Sequence, residues 1–306
     1  MSFRYDNKVA IVTGAGNGLG RSHALGLAAR GAKVVVNDLG VALDGSGCNL
    51  SAAEIVVEEI RAAGGEAIAN GANVTIEDEV EAMVQSATAK WGRVDILINN
   101  AGILRDKSFS NMSLDDFRLV LDVHLMGSTI CTKAVWDLMK EQKYGRIVMT
   151  SSSSGLYGNF GQANYGAAKM GVIGLMNVLH LEGAKYGIRI NALAPTAATR
   201  MMEGLISQDS LNLMTVESVT AGLLYLVGEK APSRLVLCAG AGGYAATRIY
   251  ETRGICLLPE EQTPENIALK FEDILNPSMQ TMLQQGGDQT VKFITRLAEK
   301  QGTVFR

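Results

Sequence analysis

The stretch VAIVTGAGNGLG, residues 9–20, decides the fold of this protein. In it an apolar, β-branched run passes at once into a glycine-rich segment, and residues with a helical period follow. Glycines at such a turn let the backbone approach a pyrophosphate, and the free N–H groups and positive dipole of the next helix favour its charge. The positions that we assign to cofactor contacts are Gly14, Asn17, Gly18, Leu19 and Gly20.

Asp38 helps to distinguish a cofactor site from a plain tight turn between strand and helix, which the glycines alone would also fit. It closes the second predicted strand about 20 residues after the turn, where a carboxylate can bind the 2′-hydroxyl of a ribose. The same carboxylate would repel a 2′-phosphate, no arginine directly follows it, and the residue before Gly18 is the neutral Asn17. The sequence therefore favours NAD over NADP. The alternative is that Asp38 only caps its loop.

Short apolar runs rich in β-formers alternate along the chain with longer segments of helical period. The runs lie at residues 8–13, 33–37, 66–70, 94–98, 146–150, 188–193 and 235–238. Nearly continuous apolar strands are typical of a parallel sheet that helices cover on both faces. We therefore predict one α/β domain over residues 1–250, of the doubly wound Rossmann type, with a seven-stranded parallel sheet.

Residues 251–306 are predicted to form a helical extension, not an independent domain. The motif TPEN at 263–266 supplies Thr263 as an N-cap and a proline at the first helical position. One helical face then carries Ile267, Phe271, Ile274 and Leu275. After the break at Gly286–Gly287, a second short helix is marked by Val291, Ile294 and Leu297. We expect the extension to pack on the first domain or on a partner subunit.

The composition is that of a globular protein with a large core, since 47% of the 306 residues are hydrophobic and 19% are charged. The formal charge is −3 without a long run of either sign, so we expect no nucleic-acid partner. No apolar run reaches the ~20 residues that span a bilayer, and we expect no membrane partner. The four cysteines have no metal-ligand spacing, so we expect no metal.

The two ends of the sequence bear on the expected location. The start, MSFRYDNK, lacks the long apolar region of a signal peptide, and the end, TVFR, differs from a peroxisomal SKL-type signal. Dispersed cysteines also suit a compartment that keeps thiols reduced. We therefore expect a cytoplasmic protein.

The stretch GQANYGAAK, residues 161–169, places Tyr165 and Lys169 four residues apart in a predicted helix. Residues at i and i+4 share a helical face, so the ammonium can lie beside the phenol. A nearby cation favours the phenolate and lowers the pKa of a tyrosine. The pair therefore predicts a general acid/base, although an ordinary amphipathic helix would also contain such a spacing.

Four motifs in order resemble those of the short-chain dehydrogenase/reductase superfamily: TGxxxGxG from Thr13, NNAG from Asn99, serines at 151–154 and YxxxK from Tyr165. The longer runs VVNDLG at 35–40, NNAGILRD at 99–106, YGRIVMTSS at 144–152 and GNFGQANY at 158–165 resemble the (3R)-hydroxyacyl-CoA dehydrogenase part of the peroxisomal multifunctional enzymes of type 2. The resemblance implies an NAD-dependent oxidoreductase that converts (3R)-3-hydroxyacyl-CoA and 3-ketoacyl-CoA. A hydroxysteroid dehydrogenase and a nucleotide-binding relative without catalysis remain alternatives.

The resemblance implies a role for each residue that matches a family motif. Ser152 binds the substrate oxygen, Tyr165 is the acid/base, and Lys169 holds the nicotinamide ribose and lowers the pKa of Tyr165. The other serines, at 151, 153 and 154, are turn or strand-end residues. Further implied cofactor contacts are Asn73, Val74, Asn99, Ala101, Gly102, Pro195, Ala198 and Thr199, together with Tyr165 and Lys169.

Two positions depart from the family pattern. His124, in VHLMG, stands where many members have a fourth catalytic residue, an asparagine; it is either a catalytic residue or a hydrogen-bonded core histidine. Asn73 stands where an aspartate commonly meets the adenine amino group, and an amide oxygen can still accept that bond.

The substrate pocket and the assembly are also expected from the resemblance. Substrate contacts are assigned to Ser152, Tyr157, Phe160, Met201 and Met202. The cations Arg105, Lys107 and Arg200 either meet coenzyme A phosphates or form a solvated rim. Members usually pair through long helices, here at 114–140 and 163–182, so we expect a homodimer, with a tetramer as the alternative.

Overall fold

The computed structural model describes residues 3–40, 51–197 and 207–303 of the chain. These residues fall into two compact units, Met1–Thr247 and Arg248–Arg306, which are described separately. Within the described ranges, no helix has both the length and the apolar character that crossing a bilayer requires.

The first unit is built on one sheet whose strands have the order β3-β2-β1-β4-β5-β6-β7-β8. The strands are β1 Val9–Thr13, β2 Lys33–Asn37, β3 Ala67–Asn70, β4 Ile96–Asn99, β5 Gly145–Thr150, β6 Ile188–Thr196, β7 Val236–Gly240 and β8 Gly243–Thr247. Strands β1 to β7 run parallel, and each coincides with a predicted run to within a few residues. The doubly wound α/β fold is therefore confirmed.

The prediction of seven strands is wrong by one, because β8 adds an antiparallel strand beside β7. Ala241 and Gly242 connect the two strands with φ of 49° and 76°, the backbone that a two-residue hairpin turn requires. The sequence of β8, GYAAT, has four exposed residues out of five and no apolar alternation. A prediction from hydrophobic periodicity therefore does not detect this strand.

Helices cover both faces of this sheet. They are α1 Gly18–Ala28, α2 Ser51–Ala62, α3 Glu77–Trp91, α4 Leu114–Leu121, α5 Gly127–Gln142, α6 Ser153–Tyr157, α7 Ala163–Gly183, α8 Gln208–Leu213 and α9 Val216–Leu226. A π-helical turn, Asp122–Met126, joins α4 to α5. One buried cluster unites α1, α2 and α9 with alternate strand residues such as Val12, and the other unites α3, α5 and α7 with residues such as Ile11.

The sheet reverses its winding direction at β1. This strand pairs with β2 on one side and with β4 on the other, so the connections leave it toward opposite edges. In open α/β sheets, ligands bind outside the carboxyl ends of the strands at such a switch point. The ends of β1, β4 and β5, at Thr13, Asn99 and Thr150, are therefore where a site is expected.

The second unit contains three helices, α10 Pro264–Leu269, α11 Phe271–Leu275 and α12 Gly286–Lys300, within residues 248–303. The Thr263 hydroxyl caps α10 as predicted. The single predicted face through Leu275 is divided between two helices, because α10 ends before Lys270. Both glycines lie inside α12, so this helix is longer than predicted. How the unit packs on other surfaces stays a prediction.

Candidate active site

The glycine-rich turn after β1 is closely packed and leaves no room for side chains. A Cβ on Gly20 would lie 2.1 Å from the Gly14 carbonyl oxygen, and one on Gly14, whose φ is 63°, would lie 2.9 Å from the Ala101 Cα. Asn17 precedes α1 as its N-cap residue and is exposed, with no side-chain capping bond. The cradle therefore presents backbone N–H groups at a helix start, which suits a pyrophosphate.

Two residues that the sequence analysis did not single out hold this turn against β4. Asn100 donates its amide hydrogens to the carbonyls of Thr13 and Gly14, at 2.9 and 3.0 Å. The Thr13 hydroxyl accepts N–H bonds from Asn100 and Ala101 and donates to the Ile98 carbonyl. The second asparagine of NNAG was the available signal, because a polar side chain after a buried strand needs a partner.

Asp38 lies beside the same turn at the end of β2. Its two carboxylate oxygens accept N–H bonds from Gly16 and Gly40, each at 2.7 Å. A Cβ on Gly16 would approach Asp38 Oδ2 to 2.8 Å, so this glycine, which the prediction omitted, is required for the contact. A half-buried carboxylate next to the pyrophosphate cradle has the chemistry to accept ribose hydroxyls, and the residues fit a dinucleotide.

The structure describes most of the other predicted cofactor residues. Val74, Ala101, Gly102 and Pro195 lie at or just beyond the carboxyl ends of their strands, whereas Ala198 and Thr199 are outside the described residues. The Asn73 amide oxygen accepts two bonds from Thr75, at 3.0 and 2.8 Å, which occupies both of its acceptor positions. Asn99 is buried and donates to Thr132 on α5, so it stabilises the packing of α5 on β4.

Ser152, Tyr165 and Lys169 come together after β5. Ser152 caps α6, and Tyr165 and Lys169 lie on α7, with the Lys169 Nζ 5.5 Å from the centre of the Tyr165 ring. Lys169 is 4% exposed and donates to the Thr150 carbonyl at 2.7 Å. Gly155 permits this arrangement, because a Cβ there would lie 2.8 Å from the Lys169 backbone. Ser151 is buried and donates to the Lys169 carbonyl, as suits a strand-end residue.

The pKa of Tyr165 is raised above its usual value, not lowered as the sequence suggested. Burial, which disfavours the phenolate, is the main cause, and the Ser152 hydroxyl acts in the opposite direction because it hydrogen-bonds the phenolate. Burial also lowers the pKa of Lys169 to about 7, so its ammonium is easily deprotonated. The prediction considered only the effect of the lysine charge on the pKa of Tyr165. It did not include the free-energy cost of burying a charged phenolate and a charged ammonium.

His124 lies in the π-helical turn and packs edge-on against Tyr165, with ring centres 5.1 Å apart. Its Nε2 lies 2.8 Å from the Ile103 carbonyl oxygen and 3.1 Å from the Ile103 backbone nitrogen. We assign the shorter contact as the hydrogen bond, which makes Nε2–H the donor and leaves a lone pair on Nδ1. Nδ1 is buried without a hydrogen-bond partner in the described structure. Burial, followed by the charge of Lys169, holds the pKa of His124 well below its usual value. The ring is therefore neutral.

The predicted substrate residues are only partly described. Tyr157 and Phe160 are 71% and 91% exposed, and the Tyr157 hydroxyl lies 2.8 Å from that of Thr247. Met201, Met202 and Arg200 lie outside the described residues. Lys107 and Arg105 both contact Asp116, at 3.2 and 3.9 Å. Each of these cations is therefore already paired with a carboxylate in the absence of a coenzyme A phosphate.

Together, the fold and the site define a dinucleotide-dependent oxidoreductase. The family model described as short chain dehydrogenase matches residues 8–210, and the chain belongs to this family. The prediction of the family, and of an enzyme that acts on CH–OH groups, is confirmed.

Two relatives are similar over most of this chain. "Peroxisomal multifunctional enzyme type 2" of Drosophila melanogaster is 51% identical over 251 residues, covering 82% of this chain and 41% of the relative. "Peroxisomal hydratase-dehydrogenase-epimerase" of Saccharomyces cerevisiae is 46% identical over 273 residues, covering 88% of this chain and 30% of the relative. The chain thus spans well under half the length of these relatives.

Two solved structures share the fold. That of full-length Drosophila peroxisomal multifunctional enzyme type 2 has a TM-score of 0.81 at 37% identity and covers 97% of this chain and 50% of that one. That of a 7α-hydroxysteroid dehydrogenase complexed with NADH and 7-oxo glycochenodeoxycholic acid has a TM-score of 0.71 at 30% identity, covering 79% of this chain and 96% of that one.

The expectation of a cytoplasmic location is wrong. Both relatives carry the word peroxisomal in their names, as does the Drosophila structure, and they point to the peroxisome instead. The residues at the two ends of the given sequence do not identify a compartment by themselves.

We predict that Asn100→Ala weakens the binding of NAD about tenfold. The change removes two hydrogen bonds, each contributing about 1 kcal/mol, and about 1.4 kcal/mol already gives a factor of ten in affinity. Titration calorimetry with NAD measures the effect. Asn111→Ala, at an exposed position, is the matched control. Unchanged affinity in Asn100→Ala would show that the cradle keeps its shape without this amide.

Proposed function

We propose that this chain interconverts (3R)-3-hydroxyacyl-CoA and 3-ketoacyl-CoA with NAD as the hydride acceptor. The observation that carries the proposal is the meeting of Ser152, Tyr165 and Lys169 beside the glycine cradle at the switch point of the sheet. Similarity to multifunctional enzymes of type 2 supports the acyl-CoA substrate. The (3R) configuration follows from the same resemblance.

In the oxidative direction, the chain's residues orient the alcohol and take its proton. The Ser152 hydroxyl binds the substrate oxygen, and the Tyr165 phenolate accepts the proton from it. NAD, when bound, would supply the carbon that accepts hydride, and its positive charge would offset part of the effect of burial, which disfavours the phenolate. Lys169 holds the ribose, and its bond to the Thr150 carbonyl fixes its position.

His124 is part of this proposal as a neutral acceptor. Its Nδ1 lone pair can accept a hydrogen bond from a water molecule that exchanges protons with Lys169. Two observations support the role: Nδ1 is buried without a partner in the described structure, and Lys169 is near enough to lower the pKa of the ring. A histidine in this place thus substitutes for the asparagine of many family members.

The cofactor in this proposal is NAD, as predicted. The family has a dinucleotide-binding fold, and the structure of the related 7α-hydroxysteroid dehydrogenase holds NADH. Asp38 supports the preference over NADP, because its carboxylate lies beside the pyrophosphate cradle and would repel a 2′-phosphate.

A hydroxysteroid substrate is the second candidate, and the similarity to 7α-hydroxysteroid dehydrogenase is the observation that favours it. Acyl chains and sterols both require an apolar pocket, so the described residues do not separate them. Binding without catalysis is disfavoured because Ser152, Tyr165 and Lys169 are all retained. A panel of (3R)-hydroxyacyl-CoA esters and steroid alcohols, assayed with NAD, distinguishes the three.

We also propose a homodimer, paired through α4, α5 and α7. Exposed apolar residues on α4, on α7 and on the π-helical turn between α4 and α5 support it: Leu114, Leu119, Met126, Met170, Val178 and Leu181. Burying such a stripe against a second copy removes apolar surface from water. Light scattering should give twice the chain mass of 32.5 kDa, or four times in a tetramer, and a stable monomer would contradict the assembly.

Tyr165→Phe should lower kcat at least about 100-fold, the smallest usual contribution of proton transfer, and leave NAD affinity nearly unchanged. The ring still packs against His124, but the proton acceptor is lost. In the wild type, oxidation requires the phenolate, so a raised pKa predicts that activity increases with pH into the alkaline range. Steady-state rates across pH measure both effects. Retention of more than about a tenth of the activity would contradict the role of Tyr165.

Asp38→Ala should weaken NAD use and admit NADP, so that the two kcat/KM values converge from a wild-type preference of at least about tenfold. Asp38→Asn keeps an acceptor oxygen for the N–H of Gly16 or Gly40 but removes the negative charge. It therefore distinguishes the effect of the charge on cofactor preference from the effect of the loop structure. Asp78→Ala, at an exposed position on α3, is the control. If the ratio is unchanged in Asp38→Ala, the carboxylate only caps its loop.

A further inference from the structure

The side chain of Gln162 joins three segments around the proposed site. Gln162 is the N-cap residue of α7, three residues before Tyr165. Its Nε2 donates to Asp106 at 2.6 Å, in the loop after β4. Its Oε1 accepts from the Ser154 hydroxyl at 2.7 Å, on α6, and from Asn159 at 3.1 Å. One amide therefore connects the segment that carries Ser152 with the helix that carries Tyr165.

The orientation of this amide is determined by its partners. A carboxylate only accepts, so Nε2 must face Asp106, and the hydroxyl of Ser154 and the amide of Asn159 then donate to Oε1. Ser154 in turn donates its backbone N–H to the Ser152 hydroxyl at 3.2 Å. The amide of Gln162 is thus occupied on both sides by protein groups, and a chain of hydrogen bonds leads from Asp106 to Ser152.

Backbone contacts reinforce the same junction. Lys107 donates its N–H to the Gly161 carbonyl at 2.9 Å, and the buried Asn164 donates to the Arg105 carbonyl at 3.1 Å. Asn164 also accepts the Tyr165 N–H at 2.7 Å. The loop after β4 is therefore held against the first turn of α7, where Tyr165 begins the catalytic face.

The charge of Asp106 acts on Tyr165. The two cations that flank it in sequence, Arg105 and Lys107, contact Asp116 instead. Around Tyr165 lie Ser152 at the start of α6, the neutral His124 in the π-helical turn and Lys169 on α7 itself. Asp106 lies in the loop that Asn164 and Lys107 hold against the first turn of α7. Among them, Asp106 raises the pKa of the phenol because a negative charge disfavours the phenolate.

We propose that Gln162 and Asp106 are positioning residues of the proposed reaction. Their hydrogen bond fixes the Ser152 hydroxyl relative to the Tyr165 phenol, and Asp106 adds a negative charge near the phenol. Neither touches the reacting atoms. The inference rests on the proposed function for its activity readout, but the titration of Tyr165 tests it without any substrate.

A charge exchange provides the test. Gln162→Glu alone opposes two carboxylates across a 2.6 Å contact and should lower kcat/KM about tenfold or more. Adding Asp106→Asn supplies an amide donor at position 106, so the hydrogen bond re-forms with reversed direction, and kcat/KM should recover to within about threefold of wild type. Gln85→Glu, exposed on α3, is the control for the same chemical change.

The pH dependence distinguishes this role from a merely structural one. Asp106→Asn alone removes the negative charge near the phenol, so the pH at which oxidation reaches half its maximum should shift downward, and the double variant, which keeps one carboxylate, should shift back toward wild type. The absorbance titration of each variant, minus that of the same variant carrying Tyr165→Phe, should follow the same order.

Three results would overturn the proposal. The first is a double variant that is no more active than Gln162→Glu. The second is a Tyr165 titration that is identical in wild type and Asp106→Asn. The third is an increase in the KM for substrate with no change in kcat, which would make the amide of Gln162 a substrate contact. Asp106→Asn changes an exposed side chain and keeps the test open if Gln162→Glu fails to fold. An inactive wild type on the whole substrate panel would contradict the proposed function, while the absorbance titration would still decide the inference.

Discussion

The carboxyl ends of β1 and β4 are held together by hydrogen bonds among Thr13, Gly14 and Asn100, and the rest of the site depends on this junction. Parallel strands that diverge from a switch point leave a crevice between their following loops, and the glycine cradle lies on one side of it. Asn100 bonds the carbonyls of the turn, and the N–H groups of Ala15 and Gly16 bond to Asn37 and Asp38, so an anion would be bound by the first N–H groups of α1. The same junction positions Gly102 against His124, whose ring would clash with any larger residue there.

Much of the fold was predictable because the sheet is parallel and buried. Strands such as VAIVT and ILIN are apolar throughout, a pattern typical of a sheet covered on both faces, and their alternation with helical segments predicted the doubly wound fold. The hairpin to β8 was not predictable in the same way, since its stability depends on pairing with β7 and not on an apolar face of its own. The hydrophobic period of a buried strand can be read from its own sequence, whereas an exposed edge strand is formed by hydrogen bonds to the neighbouring strand.

The site shows the same division. Ser152, Tyr165, Lys169 and the glycines could be selected as candidates from spacing and resemblance, because the proposed chemistry requires those residue types at those intervals. The hydrogen-bond partners of Gln162 and Asn100 could not be predicted from the sequence, since they lie 56 and about 86 residues away in the chain. The cofactor contacts of Asn73 and Asn99 stay predictions: the Asn73 oxygen accepts from Thr75 and the Asn99 amide donates to Thr132, while the buried Asn99 oxygen has no partner in the described structure.

Burial is the main cause of both the raised pKa of Tyr165 and the lowered pKa of Lys169. Burial disfavours charge on both groups, so the pair is close to neutral before a ligand arrives, and the Thr150 carbonyl and Ser152 hydroxyl supply only hydrogen bonds. A positive charge brought beside the phenol would then act in a weakly polar medium, where its effect on the phenolate is larger than in water. The desolvation that raises the pKa of Tyr165 thus also makes the phenol sensitive to a cationic nicotinamide. In the proposed mechanism, this property would couple Tyr165, as proton acceptor, to the oxidised form of the cofactor.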